Sequence, residues 1–283
     1  MDTSISWLAP AKINLFLHIT GQRDDGMHEL QTAFQFVDLC DQLKFSPRRD
    51  SQITRTTDIE DVSSEDDLCV RAGLLLQRVA NVKQGVDIAL TKNIPMGGGL
   101  GGASSDAATT LLVLNEIWSI NAGEDELAEL GRQLGADVPV FVRGQAAWAE
   151  GVGEQLTSIN MEECWYLIIN AGIHVSTAQM FAYSQLTRNS PQLTICPPKP
   201  GEFGNVFEPV VRAQHPKIDL VFDWLGNYSH PFLTGTGGCV VAAFAEKKSA
   251  VEIQSQCPRG MTAYVARARN TSPLKTQLIL DSD

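Results

Sequence analysis

No apolar run in this chain is long enough to span a bilayer, and the N-terminus lacks a basic stretch followed by a sustained apolar one. A cytoplasmic protein with no membrane partner is therefore expected. Cationic residues are scarce: 22 Lys and Arg against 33 Asp and Glu leave a formal net charge of −11, without the basic face that a nucleic-acid surface needs. The six cysteines (Cys40, Cys69, Cys164, Cys196, Cys239, Cys257) form no C-x-x-C pair and have no paired histidines nearby, which argues against structural zinc and a redox motif and leaves buried free thiols. There is no internal repeat and no low-complexity tract. What is present, 283 residues that are 43% hydrophobic and 19% charged, is the composition of a globular protein of two domains or one large one. A monomer or weak dimer is expected. If its ligand is anionic, a few cations and oriented backbone amides must supply the positive potential locally.

Hydrophobic periodicity orders the chain. KINLFLHIT alternates strictly, with Ile13, Leu15, Leu17 and Ile19 on one face and Lys12, Asn14, Phe16, His18 and Thr20 on the other, so it predicts a half-buried strand. Further strands are predicted around Thr32–Val37, Gln42–Phe45 and Val86–Leu90. Ser64 and Asp67 resemble a capping box before a helix carrying Leu68, Ala72, Leu75, Leu76 and Val79 on one face. A second helix begins at Ser104 or Ser105, and a third runs from about Glu124 to Gly135. CWYLIIN, apolar on both sides, predicts a central strand. RNSPQLTICPPKPGEFGN, beginning at Arg188, reads as a long surface connection. A helix over Ile218–Leu225 and strands in CVVAAFA and TAYVARA follow. The domain boundary is placed near Thr157–Glu163, dividing the chain into residues 1–157 and 158–283.

Between a strand and a helix lies IPMGGGLGGASSDAA, in which five of the six residues from Gly97 to Gly102 are glycine. A flexible linker does not belong between two regular elements. Gly97, Gly99 and Gly102 satisfy G-x-G-x-x-G, but KNIPM separates them from the strand, and a further helix follows instead of a second parallel strand ending in an acid. The remaining reading is a phosphate cradle: glycines let successive N–H groups face one oxyanion, and the helix N-terminus adds its dipole. Ser104 and Ser105 can donate to phosphate oxygens or ligate Mg²⁺, and Lys92 lies just upstream. No Walker P-loop is present.

PMGGGLGGASSDAA resembles the central motif of the GHMP kinase superfamily. APAKINLFLHITGQRDDGMHELQT resembles its first motif and LTGTGGCVV its third, in the same order. Together with LGADVPVFVRG and the ending NTSPL, these resemble, from one end of the chain to the other, the superfamily branch that phosphorylates 4-diphosphocytidyl-2-C-methyl-D-erythritol. The resemblance implies an α+β, two-domain GHMP kinase fold, with a ribosomal-protein-S5-like N-terminal domain and a ferredoxin-like C-terminal one. It also implies ATP as phosphoryl donor with Mg²⁺, and a cytidine diphosphate alcohol as acceptor in the methylerythritol phosphate route to isoprenoids.

By spacing alone, Asp137 reads as a helix N-cap and Lys12 as a strand-end lysine. The resemblance makes Asp137 the catalytic base and Lys12 the cation beside it. It assigns ATP to Lys92, Pro95, Met96, Gly97, Gly98, Gly99, Leu100, Gly101, Gly102, Ala103, Ser104 and Ser105, with Asp67 near the adenine. The substrate falls to Asn14, His28, Phe181 (stacked on the cytosine) and Thr177, with Thr234 and Gly235 in a turn facing phosphates. Two positions depart from the pattern: Met27 stands where a tyrosine is common as the second face of the cytosine sandwich, and Asp67 where an asparagine is expected. No metal ligand set is marked. Homoserine or mevalonate kinase activity, and a catalytically silent sensor, are the competing readings; retention of both Lys12 and Asp137 speaks against the sensor.

Overall fold

The computed structural model describes residues 5–60 and 62–281. Two long antiparallel strands, β1 (Trp7–Gln22) and β2 (His28–Pro47), precede β3 (Ile53–Arg55), α1 (Leu68–Val79) and β4 (Val86–Thr91). After the glycine loop come α2 (Gly102–Ile117), α3 (Glu124–Arg132), α4 (Val138–Arg143) and the hairpin β5 (Ala147–Glu150) and β6 (Gln155–Ser158). The remainder comprises β7 (Trp165–Asn170), α5 (Thr177–Ala182), α6 (Glu208–Gln214), α7 (Pro216–Leu225), β8 (Pro231–Leu233), β9 (Cys239–Phe244), α8 (Lys247–Gln254), β10 (Thr262–Arg269) and α9 (Pro273–Asp281).

The organising strand is β2, which pairs with β1, β4 and β5 and, at Ala268↔Val37 and Arg269↔Phe36, with β10. Because β10 continues into β7, β9 and β8, the described strands join into one ten-stranded sheet ordered β3-β4-β2-β10-β7-β9-β8 along its main path. β7, the CWYLIIN strand, is central, between β10 and β9. The two strands expected at Thr32–Val37 and Gln42–Phe45 are thus one. The polar stretch between them does not turn because neighbours satisfy it: Asp38 accepts from the Arg267 N–H (2.7 Å), and Asp41 from the N–H groups of Asn93 (2.5 Å) and Ile94 (2.8 Å).

β1 also differs from expectation. It is buried on both faces over most of its length, Lys12 and Asn14 included. Register shifts at Pro10/Lys12, Asn14/Leu17 and Ile19/Gly21 break the alternation. Ile13 and Leu15 consequently join a middle core shared by both halves, while Leu17 and Ile19 join the C-terminal core. Among the described residues β1 has no ladder neighbour beyond β2, and an open edge leaves backbone groups unpaired. The segment read as a surface connection covers that edge. Ser190 N–H donates to Ile19 O (2.8 Å), Gly201 N–H to Leu15 O (3.1 Å) and Val206 N–H to Leu17 O (2.9 Å), and Leu17 N–H returns to Gly204 O (3.0 Å). His18 joins it, with Nε2 2.7 Å from Phe203 O.

Helix α1 is capped by Asp67 itself, not by a Ser64–Asp67 box: Oδ1 accepts from the N–H groups of Cys69 (2.8 Å) and Val70 (3.2 Å). Helix α9 falls beyond the 157/158 division drawn from the sequence, yet it packs on the N-terminal half. Leu274 enters that core, and Gln277 bonds Leu8 N–H (3.0 Å) and Ser6 O (2.8 Å). Of the free thiols only Cys69 and Cys239 are buried; the other four are half-buried. Among the described residues no helix is long and apolar enough to cross a membrane.

Candidate active site

A cleft of about 1500 Å³ gathers most of the residues marked by sequence. On its floor, the Lys12 ammonium is 3.2 Å from Asp137 Oδ2 and donates to Asn14 Oδ1 at 2.5 Å. The lysine side chain is 4% exposed and the aspartate 35%, so a buried cation meets a carboxylate open to the cleft. Asp137 stands at the N-cap position of α4, but its carboxylate makes no cap bond. The capping role that spacing allowed is therefore not what the side chain does; it faces the lysine.

Asn14 holds that lysine in place. Its amide donates to Thr32 Oγ1 (2.9 Å), and the Thr32 hydroxyl donates to Phe16 O (2.5 Å). Both ends of the amide are thus engaged by the protein, so Asn14 supports Lys12 while also lining the cleft where the substrate contact is expected. Thr234 is withdrawn: it is fully buried, and its hydroxyl oxygen accepts the Asn14 N–H at 3.0 Å. Gly235 and Thr236 line the cleft in its stead.

The glycine loop is fixed by Lys12 N–H, which donates to Leu100 O (3.0 Å). Its glycines have a reason that the phosphate argument did not supply. A Cβ on Gly99, whose φ is +76°, would lie 2.3 Å from Thr234 O, and one on Gly238 would lie 2.5 Å from Gly97 O. The loop and the Thr234–Gly238 turn interlock, backbone against backbone, which only glycine permits. The opposite side of the loop lines the cleft. Gly101 caps α2 without a side-chain bond, and Gly102, Ala103 and Ser104 in the first turn border the cleft, so their N–H groups and the helix dipole face any bound anion. Ser105 does not: it is fully buried, its hydroxyl has no partner, and it is outside the cleft.

Lys92 is not a bare charge for phosphate. Its ammonium bonds the carboxylates of Asp41 and Asp106, the latter at 2.7 Å. Two buried carboxyls share one ammonium, and Asp41 also receives two backbone amides. The carboxyl of Asp106 is pushed up to about 8, by burial first, with Lys92 opposing and Asp41 adding to the rise. A carboxyl raised above its ordinary 3.8 favours the fold in its protonated form, so that contribution is complete below about 4 and is lost as pH climbs through about 8. Asp106→Asn should therefore flatten the decline of melting temperature between pH 4 and 9. An unchanged slope would show that Asp106 does not hold the proton.

Asp67, expected beside the adenine, does line the cleft, but its carboxylate is already engaged by the protein. Oδ1 caps α1 and Oδ2 pairs with Arg55 at 2.7 Å, both side chains being buried. At the far end, His28 and Phe181 meet with ring centroids 5.0 Å apart and planes tilted by 30°. Met27 stands beside them, 51% exposed, and Thr177 Oγ1 is 2.9 Å from Thr236 Oγ1. Burial, and then the Arg188 guanidinium, hold His28 below the usual imidazole range.

The models for the GHMP kinases N terminal domain and GHMP kinases C terminal match residues 67–145 and 199–263. A Shewanella denitrificans protein named 4-diphosphocytidyl-2-C-methyl-D-erythritol kinase is 48% identical over 276 residues, covering 97% of each chain. A Nitrosococcus oceani protein of the same name is 49% identical over 268 residues, covering 95% of this chain and 96% of its own. The chain belongs to the 4-diphosphocytidyl-2-C-methyl-D-erythritol kinase family. A crystal structure of 4-(cytidine 5'-diphospho)-2C-methyl-D-erythritol kinase agrees with a TM-score of 0.81 at 28% identity, over 93% of this chain and 99% of that one.

Arg188 and His174 also line the cleft of this kinase, and sequence reasoning gave neither a role. His174 lies against the glycine loop: a Cβ on Gly97 would be 2.3 Å from its Nδ1. No motif marks either residue. Arg188 did leave a trace, since it is the only charged residue between Phe181 and Pro198. A lone cation in an uncharged stretch that touches a cleft warrants a role.

Proposed function

We propose that the chain transfers the γ-phosphoryl group of ATP to the 2-hydroxyl of 4-diphosphocytidyl-2-C-methyl-D-erythritol, with Asp137 as base. The observation that carries this is the Lys12–Asp137 pair, in one cleft with the glycine loop and the His28–Phe181 wall. The triphosphate lies along the loop and the first turn of α2. The adenine takes the apolar end formed by Ile59, Val62, Leu68 and Leu90, with Pro95 and Met96 beside it. Asp137 Oδ2 stays on Lys12 while Oδ1 accepts the hydroxyl proton. The freed oxygen bonds to the γ-phosphorus as the bond to the β–γ bridging oxygen breaks and ADP leaves. Lys12 stabilises the negative charge that develops there.

Mg²⁺ suits this donor set. Ser104 places one hydroxyl at the cleft, and no group of three His, Cys, Asp or Glu side chains among the described residues forms a cage. A cation carried by the triphosphate needs few protein oxygens. Ser104 and the phosphate oxygens would hold it, and when bound it would neutralise phosphate charge.

An ADP-release assay over a panel of alcohols tests the reading. Turnover should appear with the cytidine substrate and be absent with mevalonate, homoserine and galactose, because a site built to hydrogen-bond a base edge rejects ligands lacking it. Efficient turnover of mevalonate or homoserine, with no inhibition by CDP, would overturn the substrate assignment. In the same assay His28→Ala should raise KM for the cytidine substrate by one hydrogen bond, ~1–3 kcal/mol, with little change in KM for ATP. An equal rise in both would remove His28 from the base site.

A further inference from the structure

We propose that Arg188 is a positioning residue for the base end of the cleft: its guanidinium selects the tautomer of His28 and anchors the backbone of Phe181, so that both rings meet the base in one fixed arrangement. The proposal rests on the reading that His28 and Phe181 receive the cytosine.

The geometry is specific. Arg188 Nε–H donates to His28 Nε2 at 3.2 Å, Nη2 donates to Phe181 O (2.7 Å) and Tyr183 O (2.9 Å), and Nη1 donates to Leu186 O (3.2 Å). One planar group thereby ties the start of β2 to the end of α5. A guanidinium only donates, so His28 Nε2 must accept, which an imidazolium cannot do. The ring is neutral, its proton is on Nδ1, and that N–H is the donor left for a ligand. Cytosine offers acceptors at O2 and N3, which the Nδ1–H of this tautomer can meet; the other tautomer presents an acceptor there, suited only to the N4 amino group.

Several other charges on neighbouring elements are engaged with one another or with backbone, while Asp24 lies on the same hairpin as His28. On that hairpin Arg23 pairs with Asp25 (3.5 Å) and Glu29 (3.7 Å), and on the adjoining turn Glu154 accepts from Val152 N–H (2.6 Å). Burial and Arg188 both lower the affinity of the imidazole for a proton. Lysine could not substitute, because the bonds to His28 and to the carbonyls require a fork of fixed geometry.

The test uses the full-length chain with ¹⁵N-labelled histidine and no ligand. Two-bond correlation spectra report which ring nitrogen carries the proton, and His28 is assigned by its loss in His28→Gln. At neutral pH the parent should show His28 protonated at Nδ1 only. In Arg188→Met and Arg188→Lys the signals should move toward the Nε2-protonated form, and the titration midpoint should rise toward the ordinary histidine value. KM for the cytidine substrate should rise about tenfold more than KM for ATP, the worth of one hydrogen bond. If Arg188→Met does not fold, Arg188→Lys decides. Unmoved ring signals in a folded variant, or equal rises in the two KM values, would overturn the proposal. The ring readout needs no substrate, so it stands apart from the cytidine reading. A parent protein that does not bind CDP would overturn that reading, and with it the link from His28 to a base.

Discussion

Asp137→Asn should lower turnover by about 10²–10⁴-fold while leaving nucleotide affinity and melting temperature close to the parent's. The variant isolates basicity from every other property of the side chain. Asparagine keeps the volume and caps helices as well as aspartate does, so a capping role would survive the change untouched. Its amide oxygen can still accept from the Lys12 ammonium, now 3.2 Å from Oδ2, and the side chain is open enough to adjust. What it cannot do is take the proton of the attacking hydroxyl. Steady-state kinetics with both substrates at saturation, beside a thermal melt, provide the check. Near-parent turnover would reduce Asp137 to a partner for Lys12.

Gly99→Val should abolish binding of a non-hydrolysable ATP analogue in calorimetry, and should lower the melting temperature as well. At φ +76° a β-branched residue is strained, and its Cβ would stand 2.3 Å from Thr234 O and 3.1 Å from Gly237 O. Both obstacles are backbone, so the loop and the turn must part, carrying the first turn of α2 away from the phosphates. Gly260→Ala is the control: φ is +77°, but nothing lies within 4 Å of the added Cβ, so only backbone strain of ~1–2 kcal/mol is imposed. Gly99→Ala should therefore destabilise far more than Gly260→Ala. Unchanged nucleotide affinity in a folded Gly99→Val would detach the loop from ATP altogether.

What could be read in advance divides by range. The glycine loop, the helix that follows it and the central strand at Trp165–Asn170 show in local pattern, because composition and period act over a few residues. The two carboxylate partners of Lys92 were not legible because they stand 51 and 14 positions away. Asn14 and Thr234 carry the right polar groups for a ligand, yet the Thr234 hydroxyl is taken by the Asn14 backbone N–H, 220 positions away, and the Asn14 amide by Lys12 and Thr32. The segment after Arg188 looked like a loop because its hydrogen bonds to β1 run through backbone, which leaves no trace in residue type. Continuity of β2 was hidden for a related reason: Asp38 and Asp41 are turn formers on their own, and only distant donors make them strand residues.

That continuity also fixes how the enzyme can move. One strand of 20 residues is hydrogen-bonded to elements of both halves, and Lys12 sits on the strand paired alongside it. A swing of one half against the other would have to break that ladder, so Lys12 cannot ride on a hinge. Adjustment to ligands is left to pieces hung on the frame's rim, such as the loop carrying His174. The Lys12 end of the cleft is then part of the molecule's stiff frame, and on the proposed reading phosphoryl transfer takes place there.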